Sequence, residues 1–356
     1  MTVQIPAGCP RKSRLRQWEF WPAWIFYLPV ALHYARLAIR HGSATVPTCA
    51  NPGFFTGGLI GESKFSILDT LQRTSPEFTA ASHRVLPGGD RLRQIDCLLD
   101  SGALVFPFVL KPDIGQRGSG FKVIRERSAA EAYLAAMPSA IVAQTFIEGP
   151  LEAGLFYYRM PGSDRGRLLA ITDKVFPALV GDGVRTLREL ITADPRASLI
   201  AETYLRRFAG RSGLVPTSGE TIRLVEAGNH AQGCLFQDGM HLWSEALEDR
   251  IDRISRQVPG FFIGRYDVRY SCPEKLRRGE EFYILELNGA SSEATSAYDA
   301  SKPLRSAYAL LFKQWDLVFE IGAANRRAGH KPSPARLILR ELRRYRRLSE
   351  SHPSAD

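Results

Sequence analysis

Two stretches of alternating side chains constrain this chain most: Gly264-Arg265-Tyr266-Asp267-Val268-Arg269-Tyr270 and Phe282-Tyr283-Ile284-Leu285-Glu286-Leu287-Asn288. Successive side chains of a strand point to opposite faces, so a two-residue period predicts a strand. In the second stretch Glu286 and Asn288 share a face with Ile284, while Tyr283, Leu285 and Leu287 fill the other. In the first, Arg265, Asp267 and Arg269 share a face. If the two strands are antiparallel neighbours, Asp267 stands opposite Glu286 and Asn288. Two carboxylates and an amide oxygen on rigid strands make a hard-cation site. An amphipathic hairpin with a solvated polar face fits the same pattern.

The chain has 356 residues, enough for two or three domains, and 44% are hydrophobic, enough for a sizeable core. Its formal net charge is +10, concentrated at the ends: Arg11, Lys12, Arg14 and Arg16 at one, Arg336, Arg340, Arg343, Arg344, Arg346 and Arg347 at the other. Such ends suit an anionic membrane surface or a nucleic acid, or simply solubility. The five cysteines are scattered without CxxC spacing. That argues against a disulfide framework or a zinc site and fits a reducing cytoplasm.

Residues 1–45 carry an aromatic run from Trp18 to Ile39. A spanning helix needs about 20 apolar residues, and this run holds Pro22, Pro29, His33 and Arg36. We read it as an interfacial segment on the cytoplasmic face of a membrane. A buried or domain-packing helix and a true span are the alternatives. Residues 46–105 include a glycine-rich loop from Asn51 to Gly61 that runs into a helical pattern, with Lys64 as an anion contact on the substrate side. It lacks the GK[ST] ending of a P-loop.

Residues 106–325 contain strand patterns at 106–111, 121–125, 141–147, 155–159, 168–176 and 222–227. The first two flank Gly118-Ser119-Gly120, a flap whose backbone N–H groups can turn toward phosphate oxygens, with Lys111 just before it. Ser128 with Glu131 reads as a capping box, and Thr186 caps a further helix. Residues 326–356 form a basic tail with a helical period.

Lysine, glycine flap, hinge-like strand, then Asp, Glu and Asn on paired strands: this order resembles the ATP-grasp superfamily over roughly residues 86–316. The pieces are Phe108-Val109-Leu110-Lys111-Pro112, Gly118-Ser119-Gly120-Phe121, Gln144-Thr145-Phe146-Ile147-Glu148-Gly149, and the Asp267 and Glu286 strands. Within the superfamily the chain looks most like D-alanine–D-alanine ligases and cyanophycin-synthetase-like carboxylate–amine ligases. The resemblance implies an α+β fold of two subdomains gripping ATP, behind a short N-terminal α/β region and with helical ends.

It also implies roles. Lys111 and Lys174 would contact the nucleotide, with Gly118, Ser119 and Gly120 over the phosphates. Gln144 and Phe146 would meet adenine, and Glu152 the ribose. Arg223 and Arg265 would hold the transferred phosphoryl group. Asp267, Glu286 and Asn288 would hold Mg2+ or Mn2+. Lys64, His230, Ser291 and Ser292 are substrate-side candidates. Where relatives carry Pro and Gly after the asparagine, this chain reads Gly289-Ala290-Ser291-Ser292-Glu293, so substrate choice is expected there. The expected activity is ATP- and Mg-dependent joining of a carboxylate to an amine through an acyl phosphate, in the cytoplasm or on the inner membrane face. No nucleic-acid partner is expected. A small-molecule kinase and a membrane-associated nucleotide-binding protein without turnover are the rivals.

Overall fold

The computed structural model describes residues 18, 21–115, 120–225, 228 and 233–351. Helices α1 (Ala23–Phe26) and α2 (Leu28–Arg40) open the described chain, and α3 (Lys64–Thr74) follows the glycine-rich loop. The first sheet takes β1 (Ser82–Val85), β2 (Phe108–Pro112), β3 (Lys122–Ile124) and β4 (Ile141–Thr145) in the antiparallel order β1-β4-β2-β3. Helices α4 (Arg91–Asp100) and α5 (Arg127–Ala136) pack on it around Ile95, Phe108, Leu110, Tyr133 and Ile141. The domain boundary expected at residue 105 thus runs through a sheet, because β1 pairs with β4. Local alternation cannot report which distant strand a segment will pair with.

The second sheet takes β5 (Leu151–Tyr158), β6 (Arg167–Val175), β9 (Leu235–Asp238), β10 (Ile263–Tyr270) and β11 (Phe282–Asn288) in the order β11-β10-β5-β6-β9. Between β6 and β9 the chain adds the pair β7 (Ala178–Val180) and β8 (Thr221–Arg223), with α6 (Leu187–Ala193) and α7 (Ala201–Arg207). Thr186 and Glu189 close a reciprocal capping box on α6. Ser128 does not cap α5: that helix starts at Arg127, and the Ser128 hydroxyl donates to Glu126.

Helix α8 (Glu245–Gln257) lays Leu247, Ile251 and Ile254 on one face of the second sheet, against Leu155, Ile171, Tyr266 and Val268. Burying such a side chain is worth about 1.5–3 kcal/mol, so this cluster anchors the sheet. Short α9 (Pro273–Arg277) leads into β11. Long α10 (Leu304–Arg327) packs against α2 and the segment around Ala297. Basic α11 (Ala335–Ser351) buries Glu341. The architecture is α+β with antiparallel sheets, as expected. Among the described residues no helix is long and apolar enough to cross a membrane.

Candidate active site

Alternation on β10 holds throughout. Tyr266, Val268 and Tyr270 go to the core, and Arg265, Asp267 and Arg269 to the opposite face. On β11 it holds in two phases. Phe282 and Ile284 are buried in the core, and so is Leu287, three residues after Ile284. The pairing explains it: Asp267 faces Glu286, but the next residue, Val268, faces Ile284. Leu285 is the extra residue of a β-bulge, which shifts the phase of the strand by one. Ile284 therefore lies on the core side, with Leu287 and not with Glu286 as the plain alternation would have it. Glu286 and Asn288 still share the face of Asp267, with Arg265 paired to Asn288 across the ladder.

The bulge aims the Leu285 carbonyl at the first sheet. Lys111 on β2 donates to it at 3.0 Å and to Gln144 Oε1 at 2.9 Å. Gln144 on β4 donates to the same carbonyl at 3.2 Å and to the Ser82 hydroxyl at 3.0 Å. Lys111 and Gln144 are both buried. Burial pushes the Lys111 ammonium down to about 8, against the pull of Glu286.

Deeper on the second sheet the charges alternate. Lys174 on β6 donates to Glu152 Oε1 on β5 at 2.6 Å and lies 3.1 Å from Asp267 Oδ1. Arg265 forks onto both Asp267 oxygens, at 2.9 and 3.1 Å, and reaches the Glu293 carbonyl at 2.9 Å. Burial alone would raise the Asp267 carboxyl, but Arg265 and Lys174 hold it well below the usual carboxylate range. Gly154 makes room for this pair: a Cβ there would stand 3.2 Å from Arg265 Cδ and 3.5 Å from Asp267 Oδ1. Burial likewise opposes the charge of Glu286, yet Lys64 and Lys111 keep it ionised below its ordinary range. Lys64, expected as a substrate-side contact, is ion-paired to Glu286.

The glycine-rich loop closes one wall. Ala290 N–H donates to the Gly57 carbonyl at 3.2 Å and Ser291 N–H to that of Gly58 at 3.0 Å. Gly58 has φ +73°, and a Cβ there would stand 2.5 Å from Gly289 Cα. Glu62 accepts from the Gly289 N–H at 3.3 Å, and its other oxygen is buried with no partner. Burial raises its carboxyl to about 7. The Ser292 hydroxyl turns back onto the Gly289 carbonyl at 2.6 Å.

Asp267, Glu286 and Asn288 are hard oxygen donors that suit a divalent cation, and the Asn288 amide nitrogen is buried with no partner. No group of three His, Cys, Asp or Glu side chains clusters among the described residues, so phosphate and water oxygens would have to complete the coordination. Gly120, with φ +69°, is described and its carbonyl accepts from Tyr133. Gly118, Ser119 and His230 lie outside the described residues. Phe146 lies just past β4, its ring 5.5 Å from the Arg269 guanidinium. Arg223 ends β8 in the small β7–β8 unit, its guanidinium 3.5 Å over the Phe176 ring.

Three site residues escaped the sequence reading. Arg269 clamps Glu152 at 3.2 Å and the Ile147 carbonyl at 3.0 Å; its place on the Asp267 face was legible, its partners were not. Glu62 and Glu293 gave no signal, because each meets its partners through the fold: Glu62 the Gly289 N–H, and Glu293 the Arg265 guanidinium at its carbonyl and Tyr27 and Tyr298 at its carboxylate.

No protein-family model and no curated protein matches the sequence. Among solved structures, the D-alanine–D-alanine ligase from Bacillus anthracis complexed with ATP is similar at a TM-score of 0.43 and 13% identity, over 75% of this chain and 68% of that one. VanG D-Ala:D-Ser ligase from Enterococcus faecalis gives 0.41 and 9%, over 75% and 62%. A bifunctional glutathione synthetase from Pasteurella multocida gives 0.36 and 15%; the chain spans 36% of its length. All three stay below a TM-score of 0.5, too loose a likeness to transfer chemistry, which the chain's own geometry has to supply.

Proposed function

We propose that this chain is an ATP-grasp enzyme that joins a carboxylate to an amine at the expense of ATP, working with Mg2+ on the cytoplasmic face of a membrane. One observation carries the reading: Lys111, Lys174 and Arg265 converge on the Asp267–Glu286 pair between two antiparallel sheets. Such an array suits a polyphosphate and its counter-ion better than it suits a hydrolytic triad.

A carboxylate is a poor acyl donor. In the first step its oxygen attacks the γ-phosphorus of ATP, the bond to the β-phosphate oxygen breaks, and ADP leaves. In the second the amine attacks the acyl carbon, inorganic phosphate leaves, and the amine gives up a proton. Lys111 and Lys174 would grip phosphate oxygens, and Gln144 and Phe146 would flank the base. Arg265, whose planar fork is already oriented by Asp267, would meet the charge that develops on the transferred group. Asp267, Glu286 and Asn288 would hold Mg2+, which supplies charge neutralisation when bound. Positioning of two substrates is then most of the catalysis. Gly289 to Asp299, with Ser291 and Ser292, would form the acceptor wall.

The test is incubation with ATP, Mg2+ and panels of acids and amines. Phosphate release that requires both partners is the expected result. A phosphorylated product with ADP and no free phosphate identifies a kinase instead.

A further inference from the structure

The N-terminal helices are apolar on both sides. Inward, Phe26, Val30 and Leu37 are buried against α10 and the Ala297 segment, His33 stacks on Phe312, and Tyr34 meets Trp315 edge to face. Outward, Leu28, Leu32, Ala35 and Ile39 recur at i, i+4, i+7 and i+11, one stripe of a 3.6-residue helix. Leu28, Leu32 and Ile39 are 55%, 65% and 83% exposed, and Trp24 on α1 is 74% exposed. A helix that only covered a core would turn polar residues to water. This one turns leucine, isoleucine and tryptophan outward, beside exposed Arg36 and Arg40. No Asp or Glu occurs between Glu19 and Glu62. At about 1.5 Å per residue α2 is roughly 20 Å long, short of the ~30 Å hydrocarbon core, so it would lie on a bilayer and not cross it.

We propose that the outward face of α1 and α2 docks on an anionic lipid bilayer, and that Tyr27 carries the docking to the active site. Apolar side chains enter the headgroup boundary while Arg36 and Arg40 meet lipid phosphates, and no carboxylate on the segment repels them. Tyr27, between the two helices, donates to Glu293 Oε2 at 2.9 Å, and Tyr298 donates to the same oxygen. The Glu293 carbonyl in turn accepts from Arg265. A shift of the α1–α2 turn on the lipid therefore pulls on the loop that holds the phosphoryl-gripping arginine. Only this second half rests on the ligase reading; the docking face stands without it.

The experiment uses the full chain and two readouts that need no substrate beyond nucleotide. In flotation, the protein is expected to rise with vesicles of phosphatidylcholine mixed with phosphatidylglycerol and not with phosphatidylcholine alone, and salt should weaken the binding. The combined variant L28E/L32E/I39E should stay at the bottom with an unchanged melting temperature; if it folds poorly, Ile39→Glu alone should weaken binding about tenfold, the cost of moving one exposed apolar group to a charge in the interface. Failure to float on anionic vesicles, or flotation of a folded triple variant, overturns the docking face. So does a wild-type dimer that the triple variant dissolves while no vesicle binding is seen, since the stripe then pairs two copies. For the second half, a fluorescent ATP analogue should change affinity at least fivefold when anionic vesicles are added, the lower range of a coupled site. Tyr27→Phe should float normally and lose that change; a Tyr27→Phe protein that responds to vesicles like wild type overturns the coupling. Flotation without any nucleotide binding would sink the ligase reading and leave the docking face standing.

Discussion

At the scale of single residues the site is a balance of buried charges, and each substitution unbalances it in a stated direction. Glu286→Gln removes a proposed metal donor and strands Lys64. ATP turnover should fall on the order of 10²-fold or more, as losses of electrostatic groups in active sites do, and isothermal titration should show weaker Mg2+-dependent nucleotide binding. Lys111 gives a pH signature. Its ammonium loses its proton near 8 in the free enzyme, whereas bound phosphates favour the charged form. Thus kcat/KM for ATP should decline as pH rises through about 8, while kcat holds to higher pH; a flat kcat/KM profile to pH 10 would remove Lys111 from the phosphate site. Glu62 acts on stability. Its folded pKa, about 7, lies above its unfolded value of 4.5, so the folded state binds the extra proton. Stability is fully present below 4.5 and declines as pH rises from 4.5 to 7. Denaturant titrations at pH 4.5 and 7 should show that loss in wild type and a smaller one in Glu62→Gln.

At the scale of elements, the glycine-rich loop and the segment after β11 form one unit. Gly58→Ala sets a Cβ against the Gly289 backbone at a positive φ. A strained position of this kind costs about 1–3 kcal/mol. The variant should melt lower and, because Gly289 moves with it, show a raised KM for an acceptor substrate out of proportion to any change in KM for ATP. Much at this scale was legible in the sequence. The alternation of Arg265, Asp267 and Arg269 gave their shared face, since that face is set by backbone geometry alone. The bulge at Leu285 was not legible, because nothing in Tyr283-Ile284-Leu285 distinguishes an extra residue from a regular one; only the partner strand does. Nor was the pairing of Lys64 with Glu286, since the two meet through the fold and not through spacing.

At the scale of the whole molecule, the two sheets are tied by Lys111 and Gln144 on the Leu285 carbonyl, by Arg269 on the Ile147 carbonyl, by the Ala80–Ile284 contact, and by α3, whose Lys64 pairs with Glu286 and whose Gln72 reaches Ser82. A ligand that binds both sheets should therefore stabilise the chain as a unit. With ATP at about a hundred times its Kd and Mg2+ present, mass action gives about 2.7 kcal/mol, seen as a rise in melting temperature that EDTA reverses. The same rise without Mg2+ would separate the nucleotide from the proposed metal donors. The order of strands and helices followed from local patterns in the sequence, and the α+β class from the resemblance that their order carries. The membership of β1 in the first sheet did not, because pairing over some sixty residues leaves no local mark.

The bulge has an evolutionary consequence. It splits β11 into a packing half and a half that carries Glu286 and Asn288, each with its own phase. Residues 282–284 are free to drift among apolar types without turning Glu286. Loss of Leu285 alone would restore regular pairing, with Ile284 opposite Val268 and Glu286 opposite Asp267, and would remove the carbonyl that Lys111 and Gln144 share. A single-codon deletion here thus spares the face of Glu286 and Asn288 but cuts a tie between the sheets, and any descendant that keeps that tie should keep the extra residue between the core of β11 and Glu286.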